Sequence, residues 1–156
     1  MKKILPICLV VIIIIVGGVL YSNTGPDKTT CIQEFHQEPY DLLVNEYTIY
    51  SEDDIVTKVV TKKTAGCNDQ NRLKEVEDNI NNSYKTMNEK YSGYSYKSSI
   101  KNNKLVSVAE IDYKVFDMEK YVNDIVAMKA YVNEKNQYTL EGAKQYYQHI
   151  GATCNE

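Results

Sequence analysis

The sequence has little of several features that mark whole classes of protein. Its 156 residues include three prolines, seven glycines, two phenylalanines and no tryptophan. So little proline and glycine excludes a collagen-like chain and a Pro/Gly-rich disordered chain. Positive charge is not in excess, because 18 Lys and Arg stand against 21 Asp and Glu, a net charge of −3. The sequence therefore gives no cationic footprint for nucleic acid, and its length suits one ordinary domain.

Recognisable catalytic and metal-binding motifs are also missing. The sequence contains no G-x-S-x-G, no Walker or Rossmann glycine pattern and no C-x-x-C. Its two histidines, His36 and His149, lie far apart in the chain and fit no zinc-finger spacing. The acidic turn residues Glu52, Asp53 and Asp54 do not follow the pattern of a calcium loop. We therefore predict no catalytic, cofactor-binding or metal-binding residues.

One long apolar run is present near the start of the chain. Residues 4–20 carry no charge and follow Lys2 and Lys3. At about 1.5 Å per residue the run would extend roughly 25 Å as a helix, the lower end of a membrane span. The two lysines favour an N-terminus that stays in the cytoplasm, with the rest of the chain outside. We predict a membrane anchor or signal at 1–21, a polar linker at 22–30 and an extracytoplasmic domain at 31–156.

Other interpretations of this run stay open. A cleaved signal peptide would release a secreted protein, although the exit at 17–22 lacks an A-x-A-like site. Lipid attachment needs a cysteine just after the run, whereas Cys8 lies inside it and Cys31 lies well beyond Leu20. A buried helix of a soluble domain is disfavoured by the many β-branched residues beside two lysines.

The pattern of the remaining chain predicts two hairpins, each followed by helix. Strands are expected at 42–50, 55–64, 94–100 and 105–113, with turns at 51–54 and at Asn102-Asn103. Apolar residues at helical spacing from Leu73 to Tyr91 predict a long amphipathic helix. Asp117 and Thr139 are expected to cap two more helices, the last of which ends at Gly151. The order ββα-ββαα predicts an α+β fold: an antiparallel four-stranded sheet with two or three helices packed on one face.

Short segments spread over residues 30–154 are similar to one known family. They are Thr30-Cys31, 54–58, 91–93, 101–106, 110–113 and 151–154. In these segments the chain resembles the YehR-like bacterial lipoproteins. The resemblance implies a small extracytoplasmic α+β domain tethered to the membrane, of unknown molecular function and without established catalytic residues. The chain departs from that family in lacking a lipidated cysteine directly after the leader, and its segment 118–137 is longer than usual.

Three cysteines lie outside the leader, namely Cys31, Cys67 and Cys154. Cys31 and Cys154 match positions of the YehR-like family and bracket the domain, so the resemblance implies a disulfide between them, which an extracytoplasmic address permits. A bridge from Cys67 to either one, or no bridge at all, remains open. Cys67 precedes the long helix, whose N-terminus can lower the pKa of a thiol. A thiol-dependent enzyme or redox sensor that uses Cys67 is therefore one alternative function.

Tyrosine is the residue type in unusual excess, with 14 tyrosines against two phenylalanines. Tyr91, Tyr94 and Tyr96 cluster around one loop, and tyrosine is common at binding surfaces. Packing on the sheet is the default interpretation of these three, and a partner surface is the alternative. The leader, the single compact domain and the absence of a catalytic motif predict a non-enzymatic bacterial domain, tethered through its N-terminal helix, that binds a protein or small ligand outside the cell. A structural role in an envelope assembly is a further alternative.

Overall fold

The structure, a computed structural model, describes residues 26–38 and 40–155. Within them the chain forms six strands: β1 (Asp27–Gln37), β2 (Tyr40–Glu52), β3 (Ile55–Gly66), β4 (Tyr94–Lys101), β5 (Lys104–Asp112) and β6 (Thr153–Cys154). The helices are α1 (Gln70–Tyr91), α2 (Met118–Asp124), a 3-10 helix (Val126–Tyr131) and α3 (Leu140–His149). The predicted anchor at 1–21 lies outside the described residues. Among those that are described, no helix is long and apolar enough to span a membrane.

All six strands belong to one antiparallel sheet with the order β4-β5-β3-β2-β1-β6. The α+β class and the antiparallel pairing are confirmed, but the prediction of four strands is wrong. The two additional strands are β1 and β6, which pair with each other at one edge. β1 begins at Asp27, within the segment expected to be a linker. Its inward side chains are Thr29, Cys31 and Gln33, so it lacks the apolar alternation that marks a half-buried strand.

Both predicted hairpins are confirmed by their turns. Asp53 and Asp54 join β2 to β3 with φ angles of 48° and 61°, and Asn102 and Asn103 join β4 to β5 with φ angles of 51° and 58°. Two consecutive residues with positive φ are the signature of the type I′ turn, whose twist matches that of the flanking strands. β5 pairs with β3, so β4 lies at the opposite edge from β6.

The long helix α1 is also confirmed. Its predicted apolar face is buried or partly buried from Leu73 to Tyr91, while its charged residues are exposed except for the partly buried Glu77. Asp69 caps the helix, because its carboxylate accepts hydrogen bonds from the amides of Asn71 and Arg72 at 3.0 and 3.2 Å. At the exit Gly93 has a φ of 74°, and a Cβ there would lie 2.8 Å from the Asp112 carbonyl oxygen. Glycine is therefore required where the chain turns from α1 into β4.

The predicted caps of the later helices are confirmed. The Asp117 carboxylate accepts a hydrogen bond from the Lys120 amide at 3.0 Å, and the Thr139 hydroxyl accepts one from the Gly142 amide at 3.0 Å. The helix expected after Asp117 is divided, however, because Ile125 leaves the helical region with φ −123° and ψ 83°. The chain continues as the 3-10 helix, so the structure has four helices rather than two or three.

The helices cover the same face of the sheet in two groups. α1 packs on β4 and β5, whereas α3 packs on β2 and β3. Two separate hydrophobic clusters result. Ile49, Val59 and Ala143 belong to the cluster beneath α3, and Leu73 and Leu105 belong to the cluster beneath the start of α1. The sheet between these two groups is the part of the inner face that the helices do not fill.

Candidate functional site

A cleft of about 300 Å³ lies between the two helical groups. Its floor is formed by the inner faces of β3 and β5, where Thr61, Lys63 and Ala109 contribute side chains. One wall comes from α1 through Tyr84, and the other comes from α3 through Tyr146 and Tyr147. The volume is at the lower end of the range of about 300–1,000 Å³ for small-molecule sites. The cleft is therefore the candidate functional site.

Tyrosine dominates the lining. Eight of the fifteen lining residues are tyrosines: Tyr47, Tyr84, Tyr94, Tyr113, Tyr121, Tyr138, Tyr146 and Tyr147. The rings support one another, since Tyr47 stacks on Tyr147 with centroids 4.2 Å apart. Phe116 contacts the rings of both Tyr94 and Tyr121, at 5.7 and 5.3 Å. The walls are consequently rigid aromatic surfaces with polar tips.

The hydroxyls of Tyr94, Tyr121 and Tyr138 stay neutral over the physiological range. Burial raises the pKa of Tyr94 and Tyr138 above the ordinary value, and it raises the pKa of Tyr121 to about 12. The physical cause is that a phenolate loses its hydration inside the protein. These side chains can therefore donate hydrogen bonds to a ligand but do not serve as bases near pH 7.

A polar network fixes one end of the cleft. The Gln33 amide nitrogen donates to the Ile150 carbonyl at the end of α3. The Gln33 side-chain oxygen accepts from Asn45 at 3.2 Å and from the Tyr47 hydroxyl at 3.1 Å. Because Gln33 is buried, pairing both ends of its amide avoids the cost of an unsatisfied polar group. The network ties the wall formed by α3 to strands β1 and β2.

The cysteines are arranged as the resemblance implies. Cys31 and Cys154 form a disulfide and lie directly opposite each other in the β1–β6 pair. The pairings of Cys67 with Cys31 or Cys154 are thereby excluded. Cys67 is a free thiol with 3% of its surface exposed, and its sulfur accepts the amide of Asp69 at 3.4 Å. Burial in an apolar cluster does not favour a reactive thiol.

The three tyrosines predicted as a partner surface occupy different environments. Tyr91 is 2% exposed and donates to the Asp124 carboxylate at 3.0 Å, so it packs between α1 and α2. Tyr94 lines the cleft, and Tyr96 is 39% exposed with its ring 5.7 Å from that of Tyr84. The partner surface therefore stays a prediction. Sequence reasoning missed Lys63 and seven of the eight tyrosines that line the cleft, all except Tyr94. The excess of tyrosine in the sequence was the signal that could have indicated them.

Comparison with known proteins identifies the fold but no activity. No protein-family model matches the sequence, and neither does any curated protein. Among solved structures, the NMR structure of Escherichia coli YehR matches with a TM-score of 0.53 and 12% identity, covering 84% of this chain and 93% of that one. An NMR structure of a Streptococcus pneumoniae TIGR4 protein matches with a TM-score of 0.46 and 13% identity, covering 86% and 89%. The resemblance expected from the sequence segments is thus confirmed at the level of the fold: the chain has a YehR-like fold.

Proposed function

We propose that this chain is a membrane-tethered, non-enzymatic domain that binds a small ligand outside the cytoplasm, in the cleft between α1 and α3. The observation that carries the binding role is the cleft itself, because its volume and aromatic lining suit one small molecule. The described lining includes no Cys, Ser, His, Asp or Glu. It therefore lacks a Ser–His pair, a Cys–His pair and a pair of carboxylates, which are common arrangements for covalent and acid–base catalysis.

Two features support the proposed location of the domain outside the cytoplasm. Residues 4–20 form an uncharged apolar run behind Lys2 and Lys3, which favours an anchor with the domain outside. The Cys31–Cys154 disulfide supports the same side of the membrane, since such bonds persist in oxidising compartments and are rare in the cytosol.

The address is tested by labelling the full chain in bacterial spheroplasts with a membrane-impermeant amine reagent. We expect labelled lysines in spheroplasts before lysis and the protein in the membrane fraction. Labelling that occurs only after lysis would contradict the export proposal. Mass-spectrometric mapping of the mature N-terminus then separates an intact anchor from a cleaved signal and from a lipidated cysteine.

The cleft is tested by filling it. Thr61 and Val60 are neighbours on β3 that point to opposite faces, Thr61 into the cleft and Val60 away from it. Ring-bearing fragments are screened against the purified full-length protein by ligand-observed NMR. We expect Thr61→Trp to abolish binding and Val60→Trp to preserve it. Equal binding by both variants, each with a native-like thermal transition, would place the ligand elsewhere.

A further inference from the structure

Lys63 is the one charged side chain among the described residues that line the cleft. It lies on the floor, with its ammonium 5.8 Å from the centroid of the Tyr84 ring. The neighbouring Lys62 faces the other side of the sheet, where its ammonium is 3.6 Å from the Glu46 carboxylate. Within residues 26–38 and 40–155, no carboxylate forms an ion pair with Lys63. Lys63 in the cleft therefore lacks the anionic neighbour that Lys62 has on the outer face of the sheet.

Burial makes this arrangement costly. Loss of hydration lowers the pKa of Lys63 below the ordinary lysine value, with no opposing charge to restore it. A lysine that served solubility would lie on the outer face, as Lys62 does. An anion beside the ammonium would offset the desolvation and strengthen in the low dielectric of the cleft.

Two buried hydroxyl groups, those of Ser107 and Tyr84, lie near Lys63. Ser107 lies directly opposite Lys63 in the β3–β5 pair, so both side chains emerge on the inner face. Ser107 is 0% exposed. The Tyr84 hydroxyl is likewise buried, and the Ser107 hydroxyl is the hydrogen-bonding neighbour that acts to lower its pKa. Because both hydroxyls are buried, the floor of the cleft offers a ligand one cation, Lys63, and, among the described residues, no charge of opposite sign.

The shape of the site narrows the class of anion. A doubly charged phosphate group is usually bound by several cations or by the bidentate fork of arginine, whereas a single lysine matches one negative charge. The walls above it include the aromatic rings of Tyr84, Tyr94 and Tyr121. Aromatic walls favour a ring or another flat apolar body.

We propose, on the basis of the binding role assigned to the cleft, that its ligand is a small aromatic carboxylate. The carboxylate accepts hydrogen bonds from Lys63, and the ring lies between the tyrosines of α1 and α3. The shared chemistry covers a free aromatic acid and the C-terminal carboxylate of a peptide that ends in an aromatic residue.

The test compares charged and neutral probes on the purified full-length protein. Phenylacetate and indole-3-acetate are titrated beside their primary amides, and Gly-Gly-Phe beside its C-terminal amide, with calorimetry as the readout. We expect each acid to bind at least tenfold more tightly than its amide, as a charge-assisted hydrogen bond in a dry site implies. The acid that binds best identifies the source, free or peptide-borne.

Three variants locate the charge. Lys63→Met should lose at least tenfold in affinity for the acids and nothing for the amides, while Lys63→Arg retains the preference for acids. Lys62→Met is the matched control and should bind as the wild type does. Acids and amides that bind the wild type equally, or a Lys63→Met protein with undiminished affinity, would overturn the carboxylate assignment and leave the cleft as a binding site. If neither the acids nor the amides bind, both the carboxylate assignment and the proposed binding role of the cleft are wrong.

Discussion

Removal of the Cys31–Cys154 disulfide is expected to cost the domain a large share of its stability. The bond joins two residues that are 123 positions apart in the chain. For a closed loop of that length, the loss of denatured-state entropy corresponds to about 5 kcal/mol at 25 °C. Domains of ordinary size are stable by about 5–15 kcal/mol in total. The bond therefore accounts for as much stability as a marginal domain possesses.

Apart from the disulfide, the last strand is held by a short pairing with β1 and by packing against the end of α3. β6 has two residues, which pair with Cys31 and Ile32 of β1. Beyond it, the Asn155 amide donates to the Thr30 carbonyl at 2.9 Å. So short a strand cannot replace a covalent link, because each net hydrogen bond contributes only about 1 kcal/mol.

The assay is urea unfolding of the Cys31→Ala/Cys154→Ala protein beside the wild type. We expect a loss of about 3–5 kcal/mol in the free energy of unfolding. Cys67→Ala is the matched control: it removes a buried sulfur, costs about 1 kcal/mol and leaves the response to reductant intact. Dithiothreitol should destabilise the wild type and Cys67→Ala but not the double variant. A double variant within about 1 kcal/mol of the wild type would refute the chain-entropy reasoning, since the ends would then be held without the bond.

Three further substitutions test individual contacts by urea unfolding. Lys63→Met should stabilise the protein by roughly 1 kcal/mol at pH 7, because it removes a half-buried cation that has no ion pair among the described residues. Burial lowers the pKa of Lys63 in the folded state, so the unfolded chain binds more protons than the folded one as pH rises toward the ordinary lysine pKa. The wild type therefore becomes more stable relative to Lys63→Met as pH rises, and the stabilisation by the substitution should shrink. A stabilisation by Lys63→Met that grows from about pH 7 to about pH 10 would contradict this reasoning. Gly142→Ala should lower the free energy of unfolding by about 3 kcal/mol, because the new Cβ would lie 2.0 Å from the Tyr131 carbonyl oxygen. At an open helical site the same substitution would stabilise the protein, so a stabilised variant would show that this close contact is wrong. Asp69→Ala should cost about 1 kcal/mol through loss of the α1 cap, whereas Glu75→Ala on the exposed face of α1 should change little, and equal effects would argue against capping.

The elements that the sequence predicted well are those whose signals are local. Helix α1 repeats its apolar residues every three or four positions, and the Asn102-Asn103 pair specifies its own turn. Asp117 and Thr139 likewise act on amides within three residues. Each of these signals is complete within one element, so no knowledge of the rest of the fold is needed to interpret it.

The edge strands depend on partners far away in the chain. β1 presents Gln33 to the interior, and this is favourable only because Asn45, Tyr47 and Ile150 satisfy its amide. β6 is too short to show any alternation, and its place is set by Cys31 across the sheet. The resemblance to a family identified the two cysteines, whereas neither strand that aligns them could be predicted from its own residues.

The candidate site shows the same division. An excess of tyrosine indicated binding, yet of Tyr91, Tyr94 and Tyr96 the cleft includes Tyr94 alone. Alternation along β3 implies that Lys62 and Lys63 point to opposite faces. Which of the two faces the helices, and which has an acidic neighbour, depends on where β2, β5 and α1 lie, and no local pattern contains that information.

The disulfide and the cleft are mechanically connected through α3. The Ala152 amide donates to the Tyr147 carbonyl at 2.9 Å, so the segment that leads from α3 to β6 and Cys154 is tied to the last turn of the helix. Gln33, which lies two residues beyond Cys31 on β1, donates a hydrogen bond to the Ile150 carbonyl. The wall that carries Tyr146 and Tyr147 is therefore fixed to β1 by one covalent bond and one buried amide. A rigid wall lowers the entropic cost of ordering a ligand, and for that reason the bond that stabilises the fold also preorganises the site.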